Sequence, residues 1–245
     1  MTTVSAAELP DFRPSPNQGG NIELYEVENR ALDPDGHVLA AMRALAPWAG
    51  RTLLDLGCGS GYWLGRYGDE AAVVIGVEPD PRLLPLAAGR DPRVRVLRGS
   101  AEHIPLEDQS VDVVHARFAY FFPPGCDAGL AEVMRVLRPG GTLVVIGNDL
   151  GAGEFAELLR AAQGTLMTAG GEETDAWWAA RGACRTTVRS VWRFTSRIDF
   201  EAVLRMEFPR KVADPWLAAH PGALGLSYSY ALFTVDKPDG LLYAR

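Results

Sequence analysis

The sequence has few of the residues that hold metals or form disulfides. It contains three cysteines and four histidines in 245 residues. Cys58, Cys126 and Cys184 lie far apart and form no C-x-x-C pair, so we expect neither a disulfide framework nor a metal site. Unpaired cysteines suit a reducing compartment, which predicts a cytoplasmic location.

The sequence also lacks a long apolar run and a basic cluster. No apolar stretch approaches the ~20 residues that a membrane-spanning helix needs, and the start lacks the basic-then-apolar order of a secretory signal. The formal net charge is -7, which argues against nucleic acid as the main partner. The 47% apolar fraction is ordinary for a globular protein. We therefore expect a globular chain whose main partner is neither a nucleic acid nor a membrane.

Two short apolar runs flank a loop with glycine at every second position. Residues 53–61 read LLDLGCGSG, and residues 72–78 read AVVIGVE. Continuous apolar runs are typical of buried parallel strands. The alternating glycines, Gly57, Gly59 and Gly61, permit a sharp turn and a close approach by a ligand. At the tip of the second strand, Glu78 can accept two hydrogen bonds from a ribose diol.

The glycine spacing differs from that of the dinucleotide and phosphate loops. In a G-x-G-x-x-G fingerprint the third glycine would stand at the position of Tyr62, and no Gly-Lys-Ser/Thr follows. Asp55 precedes the first glycine and suits a ligand that carries an ammonium group. The pattern D-x-G-x-G-x-G with a later Glu resembles the nucleotide-binding motif of class I S-adenosylmethionine-dependent methyltransferases, particularly the small-molecule, UbiE-like type 11 group. The alternative is that the glycines only make a tight turn.

Two later segments strengthen this resemblance, which covers residues 51–146 by motif. Residues 99–105, GSAEHIP, resemble the segment that faces adenine in the family, although Ser100 stands where the family often has an acid. Residues 137–141, LRPGG, resemble the family's turn before a further strand.

The resemblance implies that S-adenosyl-L-methionine is the cofactor and S-adenosyl-L-homocysteine the product. Asp55 is expected to order the loop and the methionine end, Glu78 to bind both ribose hydroxyls, and Pro79 and Leu83 to contact adenine. The cofactor-binding residues that it implies are Tyr25, Asp55, Gly57, Cys58, Gly59, Gly61, Glu78, Pro79, Leu83, Ser100, Ala101, Glu102 and His115. Glu102 has the alternative of a solvated residue at a helix start.

The remaining candidates lie after the fourth and fifth predicted strands. A base is needed only if the acceptor must lose a proton, and His115, at the end of the strand over residues 110–115, is the candidate. Its alternative is a ring that packs beside the cofactor or hydrogen-bonds a backbone group. The residues that could meet the acceptor are Arg117, Tyr120, Asn148 and Asp149, with ordinary surface or capping roles as the alternative.

The order of elements predicts a doubly wound, Rossmann-like α/β fold. We expect a seven-stranded sheet, mostly parallel with a final antiparallel strand, and helices on both faces. Residues 1–20 are predicted to be a mobile N-terminal lead-in, and 21–245 a single domain. That domain divides into a cofactor-binding core (37–150), capping elements (21–36 and 151–225) and a closing strand (228–236). Asp35 is predicted to cap a helix over 37–46, another helix is predicted over 153–167, and the aromatic run at 116–122 is expected to fill the core from a helix.

Three functions remain open from the sequence. The first is methyl transfer to a small-molecule acceptor by in-line displacement, achieved mainly through positioning. The second is an NAD-dependent oxidoreductase, which the early third glycine disfavours. The third is a non-catalytic S-adenosylmethionine-binding protein, since no residue is unmistakably catalytic.

Overall fold

A computed structural model of the chain describes residues 9–15, 20–162 and 171–239. Its strands are β1 (Thr52–Leu56), β2 (Val73–Glu78), β3 (Arg95–Arg98), β4 (Val111–Arg117), β5 (Leu137–Asn148), β6 (Cys184–Arg193) and β7 (Gly225–Asp236). They form one seven-stranded sheet in the order β3-β2-β1-β4-β5-β7-β6. The first five strands are parallel, whereas β7 runs antiparallel to both β5 and β6. The predicted fold class is confirmed.

Helices cover both faces of the sheet. They are α1 (Ile22–Ala31), α2 (His37–Leu45), α3 (Leu64–Gly68), α4 (Leu84–Arg90), α5 (Asp127–Val136), α6 (Glu154–Ala161), α7 (Glu172–Ala179), α8 (Arg197–Glu207) and α9 (Arg210–Ala219). One hydrophobic core contains residues of α1 to α4, α6, α8 and α9, and the core on the other face contains residues of α5 and α7. The inner strands β1 and β2 are therefore buried on both sides, which accounts for their continuous apolar sequences, whereas the edge strand β3 is only partly buried.

The strand register brings the candidate residues to one edge of the sheet. Asp55 on β1 pairs with Gly76 on β2 and with His115 on β4. Because β1, β2, β4 and β5 are parallel, their carboxyl ends lie at the same edge, where ligands bind in open α/β sheets. Residues far apart in the sequence thus become neighbours.

The predicted cap of α2 was wrong. Asp33, not Asp35, caps the helix: its Oδ2 accepts a hydrogen bond from the Val38 amide at 2.9 Å. The other oxygen of Asp33 accepts a hydrogen bond from the Ser190 hydroxyl at 2.7 Å. Asp35 instead forms an exposed ion pair with Arg193. The partners on β6, which are distant in the sequence, decide which aspartate turns inward.

Two other segments differ from their predictions. β4 continues past His115 to Arg117, so the histidine lies within the strand rather than at its end. The aromatic segment after it is irregular rather than helical, with left-handed backbone at Phe118 (φ 49°) and Tyr120 (φ 55°). The helix predicted over 153–167 is α6, and residues 163–170 lie outside the described residues.

Within the predicted lead-in, the structure describes residues 9–15 and Gly20. Within it, Asp11 accepts a hydrogen bond from the Glu102 amide at 3.3 Å. In the three described ranges, no helix has the length and apolar character needed to cross a membrane. The same ranges contain no group of three or more His, Cys, Asp or Glu side chains that could hold a metal ion.

Candidate functional site

The glycine loop after β1 has a backbone that other residues would strain. Gly57, Gly59 and Gly61 have φ of 72°, 59° and 78°, in the left-handed region that favours glycine. A Cβ at Gly57 would clash with the Ala119 side chain, and one at Gly61 would lie 2.7 Å from the Ala87 Cα. These glycines are therefore needed both for backbone conformation and for close packing.

The loop is tied to the end of β2 by backbone hydrogen bonds. The amides of Gly57 and Cys58 both donate to the Val77 carbonyl, at 2.8 and 3.1 Å. The Cys58 side chain is buried against Gly76. A Cβ added at Gly76 would lie 2.8 Å from the Cys58 sulfur. Burial raises the pKa of the Cys58 thiol above its usual range, so its side chain is a neutral core group.

Glu78 is held at the carboxyl end of β2 with its carboxylate beside the loop. Its Oε2 accepts a hydrogen bond from the Gly59 amide at 2.8 Å, and its Oε1 accepts one from the Asp80 amide at 2.9 Å. The residue is only 5% exposed, and this burial raises the pKa of its carboxyl group to about 7 despite both hydrogen bonds. Each oxygen still has a lone pair for a further donor, such as a ribose hydroxyl.

Tyr25 on α1 lies over the glycine loop. An added Cβ at Gly59 would lie 2.6 Å from the Tyr25 hydroxyl oxygen, and burial raises the pKa of that hydroxyl. Nearby, a cavity of about 10 Å³ is bordered by Trp63, Arg117 and Tyr230. This volume is about that of one water-sized probe, which is too small for a nucleoside.

Asp55 and Arg117 form a buried pair at the ends of β1 and β4. The Arg117 Nη2 lies 3.8 Å from the Asp55 Oδ2, which is beyond hydrogen-bond distance. The two carboxylate oxygens of Asp55 have no hydrogen-bond partner among the described residues, and the Arg117 Nε has none either. The guanidinium lies 4.4 Å from the centre of the Trp63 ring. Burial raises the pKa of Asp55, and the charge of Arg117 opposes that change.

His115 lies below the site, within the core. It is fully buried, with the rings of Trp48 and Tyr67 at 5.3 and 5.1 Å. Burial lowers the pKa of its imidazole to about 3, and the charge of Arg117 acts in the same direction. The ring is therefore neutral near pH 7. This environment favours the packing alternative, and a general-base role for His115 stays a prediction without support from the geometry.

The segment expected to face adenine lies beside the end of β3. Ser100 and His103 exchange backbone hydrogen bonds at 3.3 Å, and the Ser100 hydroxyl is buried without a partner in the described ranges. Ala101 is also buried. The Glu102 carboxylate accepts a hydrogen bond from the Tyr120 hydroxyl at 2.8 Å. Across the loop, Leu83 is buried and Pro79 is half-buried.

Three of the four acceptor candidates form hydrogen bonds with other side chains of the protein. Tyr120 donates to Glu102, Asn148 accepts from the Tyr228 hydroxyl, and Asp149 accepts from the Ser229 hydroxyl at 2.7 Å. Asp149 also pairs with Arg185 at 2.8 Å. These contacts favour the structural alternative for Tyr120 and Asp149. Only Arg117 of the four lies beside Asp55 and the glycine loop.

The sequence analysis missed two aromatic residues at this site, Trp63 and Tyr67. Both are buried, and the Tyr67 hydroxyl and the Trp63 indole nitrogen have no hydrogen-bond partner among the described residues. The sequence spacing could have identified them. They stand four residues apart directly after the glycine loop, and residues at this spacing share one helix face.

A larger groove lies between α6 and α9. It has a volume of about 620 Å³, and its lining includes Leu158, Lys211, Trp216 and His220. None of its lining residues belongs to the glycine loop or to the ends of β1, β2 and β4, and it is broadly open. We therefore place the candidate site at the loop, where the buried polar groups converge.

Comparisons with known proteins agree with this geometry. Residues 54–145 match the family described as a methyltransferase domain. An uncharacterized methyltransferase of Mycobacterium tuberculosis is 36% identical over 130 residues, which are 53% of this chain and 51% of the relative. A malonyl-[acyl-carrier protein] O-methyltransferase of Serratia marcescens is 34% identical over 129 residues, covering 52% of this chain and 49% of the relative. The chain thus spans about half the length of the curated relatives it matches.

Solved structures extend the similarity beyond the matched segment. A putative methyltransferase from Bacillus halodurans has a TM-score of 0.60 at 16% identity, covering 82% of this chain and 98% of that one. The fold is the Rossmann-like fold that these structures share. The domain match and the curated relatives support the class I S-adenosylmethionine-dependent methyltransferase family that the motifs predicted.

Proposed function

We propose that the protein transfers a methyl group from S-adenosylmethionine to a small-molecule acceptor. The observation that carries this proposal is the carboxylate of Glu78, fixed beside the glycine loop by the Gly59 amide at 2.8 Å. An ionised carboxylate there provides the acceptors that a ribose diol requires. The match of residues 54–145 to the methyltransferase domain supports the same ligand.

The buried polar groups of the site fit the parts of this cofactor. Asp55 has two carboxylate oxygens without hydrogen-bond partners in the described ranges, which suits the ammonium group of the methionine end. The Ser100 hydroxyl, likewise without a partner, suits the adenine amine. The loop amides, Pro79, Leu83 and Ala101 supply backbone and apolar contacts, and Tyr25 would cover the bound nucleoside.

The chain's contribution to the reaction is mainly positional. When bound, S-adenosylmethionine supplies an electrophilic methyl group on a positively charged sulfur. The glycine loop and Glu78 hold the nucleoside, while α1 and its Tyr25 exclude water. Orientation of this kind supplies ~7–11 kcal/mol of the barrier reduction. A neutral, buried His115 does not favour proton abstraction from the acceptor, so an acceptor that is already nucleophilic fits best.

The covered position of the loop supports a small acceptor. The loop residues 58–61 are buried, and the Tyr25 hydroxyl lies against Gly59. A macromolecular surface could not reach that depth, whereas a small molecule can enter with a modest shift of α1. The net charge of -7 also disfavours nucleic acid.

The test is methyl transfer from cofactor with a labelled methyl group to fractions of a metabolite extract. We expect label in a small organic product and equal formation of S-adenosylhomocysteine. The Glu78→Gln variant should lose most of this activity, and Glu23→Gln, an exposed acid on α1, should retain it. Cofactor binding without any transfer would favour the non-catalytic alternative, and binding of NAD in its place would favour an oxidoreductase.

A further inference from the structure

We propose that the methyl acceptor carries a primary or secondary amine, and that Glu28 on α1 binds this amine as an ammonium group beside the rings of Tyr228 and Tyr230. This inference rests on the proposed function and deepens it, because it names the chemical class of the acceptor. It also assigns a binding role to three residues that lie outside the candidate site residues named from the sequence.

Glu28 is a buried acid whose carboxylate is not fully satisfied in the described part of the chain. The residue is 5% exposed, and its Oε2 has no hydrogen-bond partner there. Burial raises the pKa of its carboxyl group, and the negative charge of Glu207 on α8 acts in the same direction. A buried acid of this kind is costly unless a donor or a cation satisfies it. The two acids therefore favour a positively charged ligand, and a bound cation in turn favours the ionised carboxylate.

On one side, Glu28 adjoins the glycine loop. Tyr25 and Glu28 are three residues apart on α1 and therefore share one face of the helix. The Tyr25 hydroxyl lies against Gly59. Burial raises the pKa of that hydroxyl, and the charge of Glu28 adds to the effect. An ammonium group at Glu28 thus lies next to the loop along which the proposed function places the cofactor.

On the other side, the charge of Glu28 acts on two tyrosines of β7. Burial raises the pKa of the Tyr228 and Tyr230 hydroxyls, and the charge of Glu28 adds to this effect at both. Tyr230 pairs with Asn148, the last residue of β5, so both tyrosines lie near the edge of the sheet where ligands bind in open α/β folds. Tyr230 also borders the cavity of about 10 Å³ that Arg117 lines. The position proposed for the acceptor is therefore continuous with the candidate site.

Aromatic rings lie close to this position. Tyr228 and Tyr230 stack with ring centres 4.2 Å apart, and Tyr228 also stacks on Trp192 at 5.5 Å. The faces of such rings attract ammonium groups. The Tyr230 hydroxyl has no hydrogen-bond partner among the described residues, so it can accept a hydrogen bond from an N–H group. A carboxylate, a hydroxyl acceptor and aromatic rings are together the groups that bind an amine.

Other classes of acceptor fit this environment less well. A carboxylate or a phosphate would be repelled by Glu28 and Glu207, and a neutral hydroxyl would leave the buried carboxylate without an opposite charge. A quaternary ammonium group would supply the charge but no N–H donor for the Glu28 Oε2 and the Tyr230 hydroxyl. The protonated form of a primary or secondary amine supplies both the charge and the donors.

The experiment separates a metabolite extract by charge before the transfer assay. A cation-exchange resin at neutral pH retains amines, and the wild-type protein is then incubated with each fraction and with cofactor that carries a labelled methyl group. We expect the label in a product of the retained fraction. Acetic anhydride converts primary and secondary amines into neutral amides, and mild base afterwards restores any acetylated hydroxyl. This treatment of the retained fraction should abolish the transfer.

Glu28→Gln tests the residue itself. Glutamine keeps the shape of the side chain and one acceptor oxygen but removes the charge. The rate of transfer to the retained fraction at limiting acceptor should fall about ten- to hundredfold, as loss of a hydrogen bond between charged groups implies. The affinity for S-adenosylhomocysteine in calorimetry and the circular dichroism should stay unchanged. Glu23→Gln, which alters an exposed acid on the same helix, is the matched control and should keep the wild-type rate.

Label confined to the unretained fraction would overturn the inference while the proposed function stands. Transfer that survives acetylation, or a wild-type rate in Glu28→Gln, would overturn it as well. Equal losses of transfer and of S-adenosylhomocysteine affinity in Glu28→Gln would assign Glu28 a structural role in α1 and would also contradict the inference. If no fraction accepts label, the proposed function itself fails, and that result is distinct from the others. The fractionation and the acetylation need no variant, so they decide the inference even if Glu28→Gln does not fold.

Discussion

The Glu78 carboxyl group should make the affinity for S-adenosylhomocysteine depend on pH. Burial raises the pKa of this group from 4.5 to about 7 in the free protein. Ribose hydroxyls donate to the ionised form, so binding selects the carboxylate and lowers its pKa. Affinity should therefore rise as the pH increases toward 7 and level off above that value.

The magnitude follows from the ionised fraction. At pH 6, one unit below the pKa of about 7, only about a tenth of the molecules carry the charged form. The apparent dissociation constant is divided by the competent fraction. Binding at pH 6 should thus be roughly tenfold weaker than at pH 8.

Calorimetry between pH 5.5 and 8 would measure this dependence, with Glu78→Gln as the perturbation. Glutamine keeps one acceptor oxygen but does not titrate, so its binding profile should be flat and weaker by about 1.5–3 kcal/mol at pH 8. The exposed Glu23→Gln variant should behave as the wild type does. A flat wild-type profile, or an unchanged slope in Glu78→Gln, would refute the reasoning.

The same group should affect folding stability in the free protein. A carboxyl whose pKa is raised on folding contributes stability that is fully present below pH 4.5 and is lost as the pH rises through about 7. The difference amounts to about 3 kcal/mol, from 1.36 kcal/mol per pKa unit. Urea unfolding of wild type and Glu78→Gln across this range should show the loss in the wild type alone. Parallel curves would contradict it.

Three further predictions concern the cap, the loop and the buried histidine. Asp33→Ala should cost about 2–3 kcal/mol of the free energy of unfolding, because it removes a cap and a buried hydrogen bond, whereas Asp35→Ala should cost less than ~1 kcal/mol. If the two variants lose equal free energy of unfolding in urea, the assignment of the cap to Asp33 would be contradicted. Gly57→Ala should cost at least ~2 kcal/mol through backbone strain and a steric clash; an unchanged melting temperature would argue against the left-handed loop. His115→Gln should keep the wild-type pH profile of methyl transfer between pH 5 and 8, because an imidazole with a pKa of about 3 does not titrate there. If the wild type shows a change of initial rate with pH near 6.5 and the variant does not, that result would support a general-base role for His115.

The parts of the fold that depend on local pattern were predictable from the sequence. The apolar runs around the glycine loop marked β1 and β2, and they placed Glu78 at the end of β2, where the structure has it. The antiparallel β7 followed from the family order of elements. In each case, neighbouring residues contain the information, because strand burial and turn chemistry act over short distances.

The contacts that depend on distant strands were not predictable. Asp33 and Asp35 are equivalent by sequence, and partners on β6 decide between them. Arg117 meets Asp55 because β4 lies beside β1 in the sheet, although β2 and β3 intervene in the chain. His115 seemed to end its strand, but β4 continues for two residues and buries the ring. Strand order and register determine all three of these features, and neither can be deduced from the spacing of residues in the sequence.

The most direct test of the account is the structure of the chain with S-adenosylhomocysteine bound. The account predicts both ribose hydroxyls within ~2.5–3.0 Å of the Glu78 carboxylate oxygens, with the nucleoside along the 57–61 loop and α1 displaced to admit it. A ligand bound elsewhere, or a ribose that does not touch Glu78, would contradict the central claim.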